Sequence, residues 1–188
     1  MALEFNWFSA IPEVCVIVPK RHEDERGYFT ETYNAADFAA GGVRDTFIQD
    51  NHSFSSGKGT LRGLHFQRDP KAQAKLVRCL RGSVLDVAVD LRMDSPTFGH
   101  HVTAILSAKA GNQMYVPVGF AHGFCCIEDD CEVAYKVSAP YDPVLDAGID
   151  PFDARLGIEW PVSPEEAILS AKDSKLPRMS ELFAKAPL

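Results

Sequence analysis

The sequence is short of the residues that staple small secreted domains. It holds five cysteines, an odd number, and none are in CxxC spacing. That excludes a fully paired disulfide framework and a thiolate zinc ribbon. Cys15, Cys79, Cys125, Cys126 and Cys131 lie mostly in apolar runs, where cysteine acts as a small hydrophobe, so a reducing, cytoplasmic compartment is expected. Only Cys125-Cys126, a few residues after His122, have a neighbour able to activate a thiol. Long hydrophobic runs are also missing: no stretch approaches about 18 apolar residues, and the N-terminal stretch has neither a basic region before an apolar core nor a small-residue cleavage site. A secreted or membrane-spanning protein is not expected. Positive charge is scarce, with 19 Lys and Arg against 26 Asp and Glu. Such a surface repels a phosphate backbone and argues against nonspecific nucleic-acid binding, so any bound phosphate must meet a local basic patch. Repeats, low-complexity tracts and obvious linkers are absent.

What is present is a chain of 188 residues, 46% of them hydrophobic, enough for one domain spanning 1–188 with a core and a pocket. Strand signals dominate. CVIVP, GYFTETY, TFIQDNHS, TLRGLHFQ, KLVRCL, SVLDVAVDLR, HHVTAILS, QMYVP and EVAYKVS all carry β-branched or aromatic residues, several in alternation. Turn residues recur at Asp24 to Gly27, Ser55 to Gly59, Arg81-Gly82, Ser95-Pro96 and Gly119, the punctuation of an antiparallel barrel or sandwich. In SVLDVAVDL the alternating set of Ser83, Asp86, Ala88 and Asp90 is expected to face a lumen or solvent. Two peripheral helices are expected, one over Asn34 to Ala40 with Asn34 as its cap, the other opening at Ser163-Pro164-Glu165-Glu166. The segment from Pro140 to Pro151 reads as a lid or a connection at the rim.

The most specific pattern is Gly111-x5-Pro117-x-Gly119-x2-His122, which resembles the second motif of the cupin superfamily apart from a terminal Asn, where this chain has Cys126. The resemblance implies an all-β, cupin-type antiparallel barrel, or jelly roll, with short peripheral helices and with His122 facing the lumen. The first cupin motif supplies two histidines and a glutamate to a metal. Here His65 survives, Gln67 stands at the second histidine position, and Lys75 has the glutamate's spacing before Gly82, although three extra residues separate it from His65. An ammonium in place of a carboxylate repels a divalent cation and supplies positive charge itself, so neither a metal nor another cofactor is expected.

An imidazole beside a fixed cation suits removal of a proton α to a carbonyl: His65 takes the proton and Lys75 steadies the enolate oxygen. Inversion of the carbon needs an acid on the opposite face, and the phenol of Tyr135, on a late strand, can supply it. A lone strand histidine is more often structural, but Gly63, the downstream motif and Lys75 together favour the catalytic reading. His22, His52, His100 and His101 read as surface or turn residues.

With these residues placed, the chain resembles the dTDP-4-dehydrorhamnose 3,5-epimerase family over nearly its whole length. The matching motifs are Asp24-Glu25-Arg26-Gly27-Tyr28-Phe29-x-Glu31, Gln49-Asp50-Asn51-His52-Ser53, Leu61-Arg62-Gly63-Leu64-His65-Phe66-Gln67, Gln73-Ala74-Lys75-Leu76-Val77, Asp86-Val87-Ala88-Val89-Asp90, Gly119-Phe120-Ala121-His122-Gly123-Phe124 and Tyr135-Lys136. The resemblance implies a dTDP-4-keto-6-deoxyhexose substrate whose C3 and C5 protons are acidified by the C4 ketone. It implies His65 as base, oriented by Asp173, with Tyr135 as the opposing acid and Lys75 at the enolate. Arg26, Arg62, Lys172 and His122 would meet the pyrophosphate. Gln49, Asn51 and Glu31 would bond sugar or nucleotide, and Tyr141 or Phe29 would stack on thymine. It further implies a homodimer exchanging N-terminal strands, in which Arg26, Phe29 and Glu31 serve the neighbour's pocket. The chain departs from the family pattern at Gly148-Ile149-Asp150-Pro151-Phe152-Asp153, and the acidic residue expected in that loop is Asp146, shorter than the usual glutamate.

Three alternatives stay open on sequence: an epimerase acting only at C3 or only at C5, a metal-dependent cupin oxygenase, and a non-catalytic sugar-binding cupin.

Overall fold

The computed structural model describes residues 3–183. Strands β1 (Leu3–Trp7), β2 (Cys15–Pro19), β3 (Arg21–Asp24), β4 (Gly27–Thr30), β5 (Gln49–Ser55), β6 (Leu61–Gln67) and β7 (Lys75–Arg81) are followed by β8 (Ser83–Asp90), β9 (His101–Ser107), β10 (Gln113–Val116), β11 (Phe120–Cys126), β12 (Cys131–Val137) and β13 (Asp146–Gly148). They build a six-stranded sheet in the order β1-β2-β10-β7-β12-β5, a five-stranded sheet in the order β13-β6-β11-β8-β9, and a separate β3-β4 hairpin. The sheet pairings are antiparallel. The all-β, cupin-like reading therefore holds.

Side-chain alternation decides what fills the interior. Val77 and Cys79 of β7, Met114 and Val116 of β10, and Val133 of β12 meet Val84 and Ala88 of β8, Val102 and Leu106 of β9, and Phe120 and Phe124 of β11 in one apolar core. The intervening residues point outward. Leu76 packs with Ile17, Tyr115 and Phe38 on the back of the six-stranded sheet. Val87, Val89 and Ala121 pack with Ile149, Leu156 and Met179 on the back of the other. Both faces of β8 are thus covered, and the solvent-facing option for that strand does not apply. Asp90, at its end, accepts from Arg92, Ser95 and Thr97 and closes a turn.

The first expected helix is α1 (Ala35–Ala40), capped by the Asn34 side chain on the Ala36 and Asp37 amides. Its Phe38 is 1% exposed, and burial of that ring stabilises the docked helix by about 2 kcal/mol. The second expectation fails at Ser163. The Glu166 carboxylate does accept from the Ser163 amide, as a capping pair would, but the turn ends there. Ile168 instead exchanges backbone hydrogen bonds with Gly59 and Leu61 beside β6, and this pairing stops a helix from propagating. The actual second helix is the short α2 (Met179–Leu182), docked through Met179. Among the described residues no helix is long and apolar enough to cross a membrane.

Candidate active site

Toward one end of the barrel the inward rows turn polar. His65 of β6, Lys75 of β7, His122 of β11 and Tyr135 of β12 line a cavity of about 430 Å³ together with Arg62, Lys172 and Asp173. An adjoining space of about 340 Å³ shares His65, Lys75, Tyr135 and Lys172 and adds Gln49, Asn51, Tyr141 and Asp146.

A β-bulge lets β6 contribute twice. Strict alternation would send Arg62 and His65, three residues apart, to opposite faces. The pairing runs His65 opposite His122 but Arg62 opposite Phe124, so β6 carries one extra residue across that interval. Gly63 sits in the bulge at φ +122°, and a Cβ there would lie 2.6 Å from Gly123 Cα. The glycine is what lets the two strands approach. Both Arg62 and His65 consequently reach the lumen, and the Arg62 guanidinium is held by Ser55 Oγ at 3.1 Å and the Phe54 carbonyl at 2.9 Å.

His65 Nε2 lies 2.7 Å from Asp173 Oδ1. Burial works to raise the Asp173 carboxyl, but the hydrogen bond and charge of His65, with help from the Gly63 amide and Ser170, hold it below the usual carboxylate range. A lasting carboxylate fixes Nε2–H as the donor and leaves the Nδ1 lone pair free for a proton. Lys75 donates to the His65 carbonyl at 3.2 Å. Burial pulls its pKa down to about 8, against the pull of Asp86 and Asp146 in favour of the ammonium. Tyr135 is pushed up, chiefly by burial and against the nearby Arg62, so its phenol keeps its proton at neutral pH. His122 lies on the floor, 6% exposed, with Nε2 2.8 Å from Asp86 Oδ1; burial lowers its pKa and keeps the imidazole neutral. At the mouth, Asp146 is shared between Lys172 and the Tyr141 hydroxyl.

Expected residues that do not join this site are Arg26, Phe29 and Glu31. They lie on or just after the β3-β4 hairpin, exposed and lining neither cavity; Arg26 pairs locally with Asp24. Gln67 also turns away. Its amide ties down the Lys71 and Pro140 carbonyls and the Asp142 amide, so it fastens loops instead of facing His65. With the two histidine Nε2 atoms on carboxylates, the described residues hold no group of three or more His, Cys, Asp or Glu side chains arranged for a metal ion. The cysteines are free and buried, and burial raises the Cys125 and Cys126 thiols to about 11 and 12, which removes them as nucleophiles. Sequence reasoning left Ser53 and Gln73 out of the site, although Ser53 continues the inward row of Gln49 and Asn51 on β5 and was readable from that alternation.

Fold and site together define a cupin-like barrel whose lumen is arranged for proton transfer. Residues 9–181 match the family model described as dTDP-4-dehydrorhamnose 3,5-epimerase, and the chain belongs to that family of isomerases. It is 49% identical over 176 residues to the dTDP-4-dehydrorhamnose 3,5-epimerase of Salmonella typhimurium, covering 92% of this chain and 94% of that one. Among solved structures it is similar to the Bacillus anthracis enzyme with TDP and pyrophosphate bound, with TM-score 0.91, 44% identity, and 95% and 100% of the two chains covered. The Legionella pneumophila enzyme in complex with dTDP-4-keto-L-rhamnose gives TM-score 0.91 at 41% identity, covering 98% and 97%.

Proposed function

We propose that this protein converts dTDP-4-dehydro-6-deoxy-D-glucose to dTDP-4-dehydro-L-rhamnose by removing and returning protons at C3 and C5. The observation that carries the mechanism is the placement of His65 and Tyr135 on opposite sheets of the barrel, flanking one cavity that also contains Lys75. A hexose ring between them meets a base on one face and an acid on the other.

The C4 ketone acidifies the hydrogens at C3 and C5. His65 Nδ1 takes one of them, and the imidazolium that forms is stabilised by the ionised Asp173. The electron pair left on carbon moves into the ketone, and the Lys75 ammonium meets the negative charge on O4. Charge developing in a water-poor cavity is where such a preplaced cation acts most strongly. Tyr135 then protonates the carbon from the opposite face, which inverts it, and its phenolate is reprotonated from solvent as His65 releases its proton. Repetition at the second carbon completes the reaction. Arg62 and Lys172 are the cations available to the pyrophosphate, and Gln49, Asn51 and the exposed ring of Tyr141 stand toward the nucleotide side.

The active form is proposed to be a homodimer in which the N-terminal strands and the β3-β4 hairpin reach the neighbouring subunit. The exposure of Tyr28 at 55% and Phe29 at 70%, on a hairpin with no core of its own, supports this reading. Five unpaired cysteines suit the reducing cytoplasm.

The test is deuterium uptake from solvent into the 4-keto sugar, followed by NMR. Exchange is expected at both C3 and C5. Exchange at one carbon would assign a single-site epimerase, and exchange at neither would refute the proposal.

A further inference from the structure

Asp86 has no part in the steps above, yet its position is unusual for a carboxylate. It is fully buried on strand β8, on the inner face between Val84 and Ala88. One oxygen accepts from His122 Nε2 at 2.8 Å, while Oδ2 has no hydrogen-bond partner among the described residues. An ionised carboxylate sealed from water is costly unless a cation answers it. His122 cannot, because burial keeps its imidazole neutral.

A cation facing it from the inner side of the opposite sheet is Lys75, itself 8% exposed and, among the described residues, hydrogen-bonded only to the His65 carbonyl. The titratable groups around it come from every side: Asp86 and His122 across the lumen, His65 on β6, Tyr135 on β12, and Asp146 with Lys172 at the mouth. Asp146 is already engaged by Lys172 and Tyr141, whereas Asp86 has an oxygen to spare.

We propose that Asp86 is a positioning residue, the fixed counter-ion that keeps Lys75 protonated under the substrate and holds His122 in its Nε2–H form. Asp86 acts through Lys75 and touches neither substrate nor reacting atoms. The proposal rests on the enolate-holding role of Lys75 where it concerns catalysis, but the Asp86–Lys75 coupling itself can be read without substrate.

The measurement is the titration of Lys75 through its side-chain Cε chemical shift in ¹³C-lysine-labelled protein, assigned by comparison with Lys75→Met. In the native protein the midpoint is expected near 8. In Asp86→Asn it falls by about one unit or more, since loss of a nearby opposite charge disfavours the ammonium. In Asp86→Glu, which keeps the charge, it stays within about half a unit of native. The alkaline limb of kcat, where activity is lost as pH rises through the Lys75 midpoint, moves with it. At pH 8 Asp86→Asn is then slowed by about fivefold or more with little change in KM. An unchanged Lys75 midpoint in a folded Asp86→Asn protein overturns the inference. Should that variant not fold, a midpoint displaced by a unit in Asp86→Glu overturns it instead. If the midpoint shifts but kcat ignores it, the enolate role of Lys75 fails while the coupling stands.

Discussion

Replacing Asp173 by asparagine probes the proposed base without changing the size of the site. The carboxylate accepts from His65 Nε2 at 2.7 Å and is itself 5% exposed. A hydrogen bond to a charged partner contributes about 1.5–3 kcal/mol, which corresponds to roughly 10- to 150-fold in rate if it is felt mainly when the imidazolium forms. Asparagine does more than weaken this bond. Its amide nitrogen can donate to Nε2, which would place the imidazole proton on Nδ1, the atom that must be bare to take the substrate's proton. In the serine protease triad the corresponding inversion costs about 10⁴-fold. The deuterium exchange rate at both carbons is therefore expected to fall by at least about a hundredfold, with dTDP affinity changed by less than about threefold, because Asp173 faces the histidine and not the nucleotide. The variant also alters the acid limb of stability. The Asp173 carboxyl titrates below its ordinary value, so its contribution is present above the unfolded value and is lost as pH falls through the folded one. Asp173→Asn should thus lower the melting temperature at pH 7 and flatten its decline toward acid. A folded Asp173→Asn protein that exchanges within about fivefold of the native rate refutes the dyad.

Tyr135→Phe should separate proton removal from inversion. Exchange of the C3 and C5 hydrogens is expected to persist within about tenfold, while net epimerisation falls by about 10²-fold or more, the range for loss of a general acid; equal loss of both would deny Tyr135 the opposing-face role. Gly63→Ala should be poorly tolerated, since the new Cβ would meet Gly123 Cα at 2.6 Å and the His122 carbonyl at 2.8 Å, both backbone atoms. A cost of about 3 kcal/mol or more is expected in thermal or urea unfolding. Gly27→Ala is the control, with a similar φ of +124° and nothing within 4 Å, so only the backbone strain of about 1 kcal/mol applies. Equal destabilisation of the two variants would show that strain, and not the approach of β6 to β11, explains Gly63.

The parts of this protein legible in the sequence are those that depend on local pattern. Strands with β-branched residues were readable, as was α1, whose Asn34 cap bonds within three residues. Strands that owe their existence to a distant partner were not. β13 spans three residues and forms because Asp146 to Gly148 pair with β6, and β3 is a polar run of Arg, His, Glu and Asp with no apolar face. β11 is buried at every position, so no alternation marks it, and only its glycine-histidine motif did. The same limit applies to the site. Asp173 is 108 residues from His65 and entered through family resemblance alone, and the bond between Asp86 and His122 spans 36 residues. A correct local signal could also mislead, as the capping pair at Ser163 did where sheet pairing at Ile168 overrode it.

The least legible feature is also the one that assembles the site. Read as a regular strand, Leu61 to Gln67 can offer the lumen either Arg62 or His65, and no composition rule says that it offers both. The single residue of slippage against β11 changes the parity within the strand. It places an arginine fixed to the Phe54 carbonyl and a histidine fixed to Asp173 on one side of one sheet. Because each anchor lies on a different element, neither side chain can swing away without breaking a hydrogen bond. The cation and the proposed base are therefore set before any substrate arrives, which is the condition under which an electrostatic site accelerates a proton transfer instead of reorganising around it.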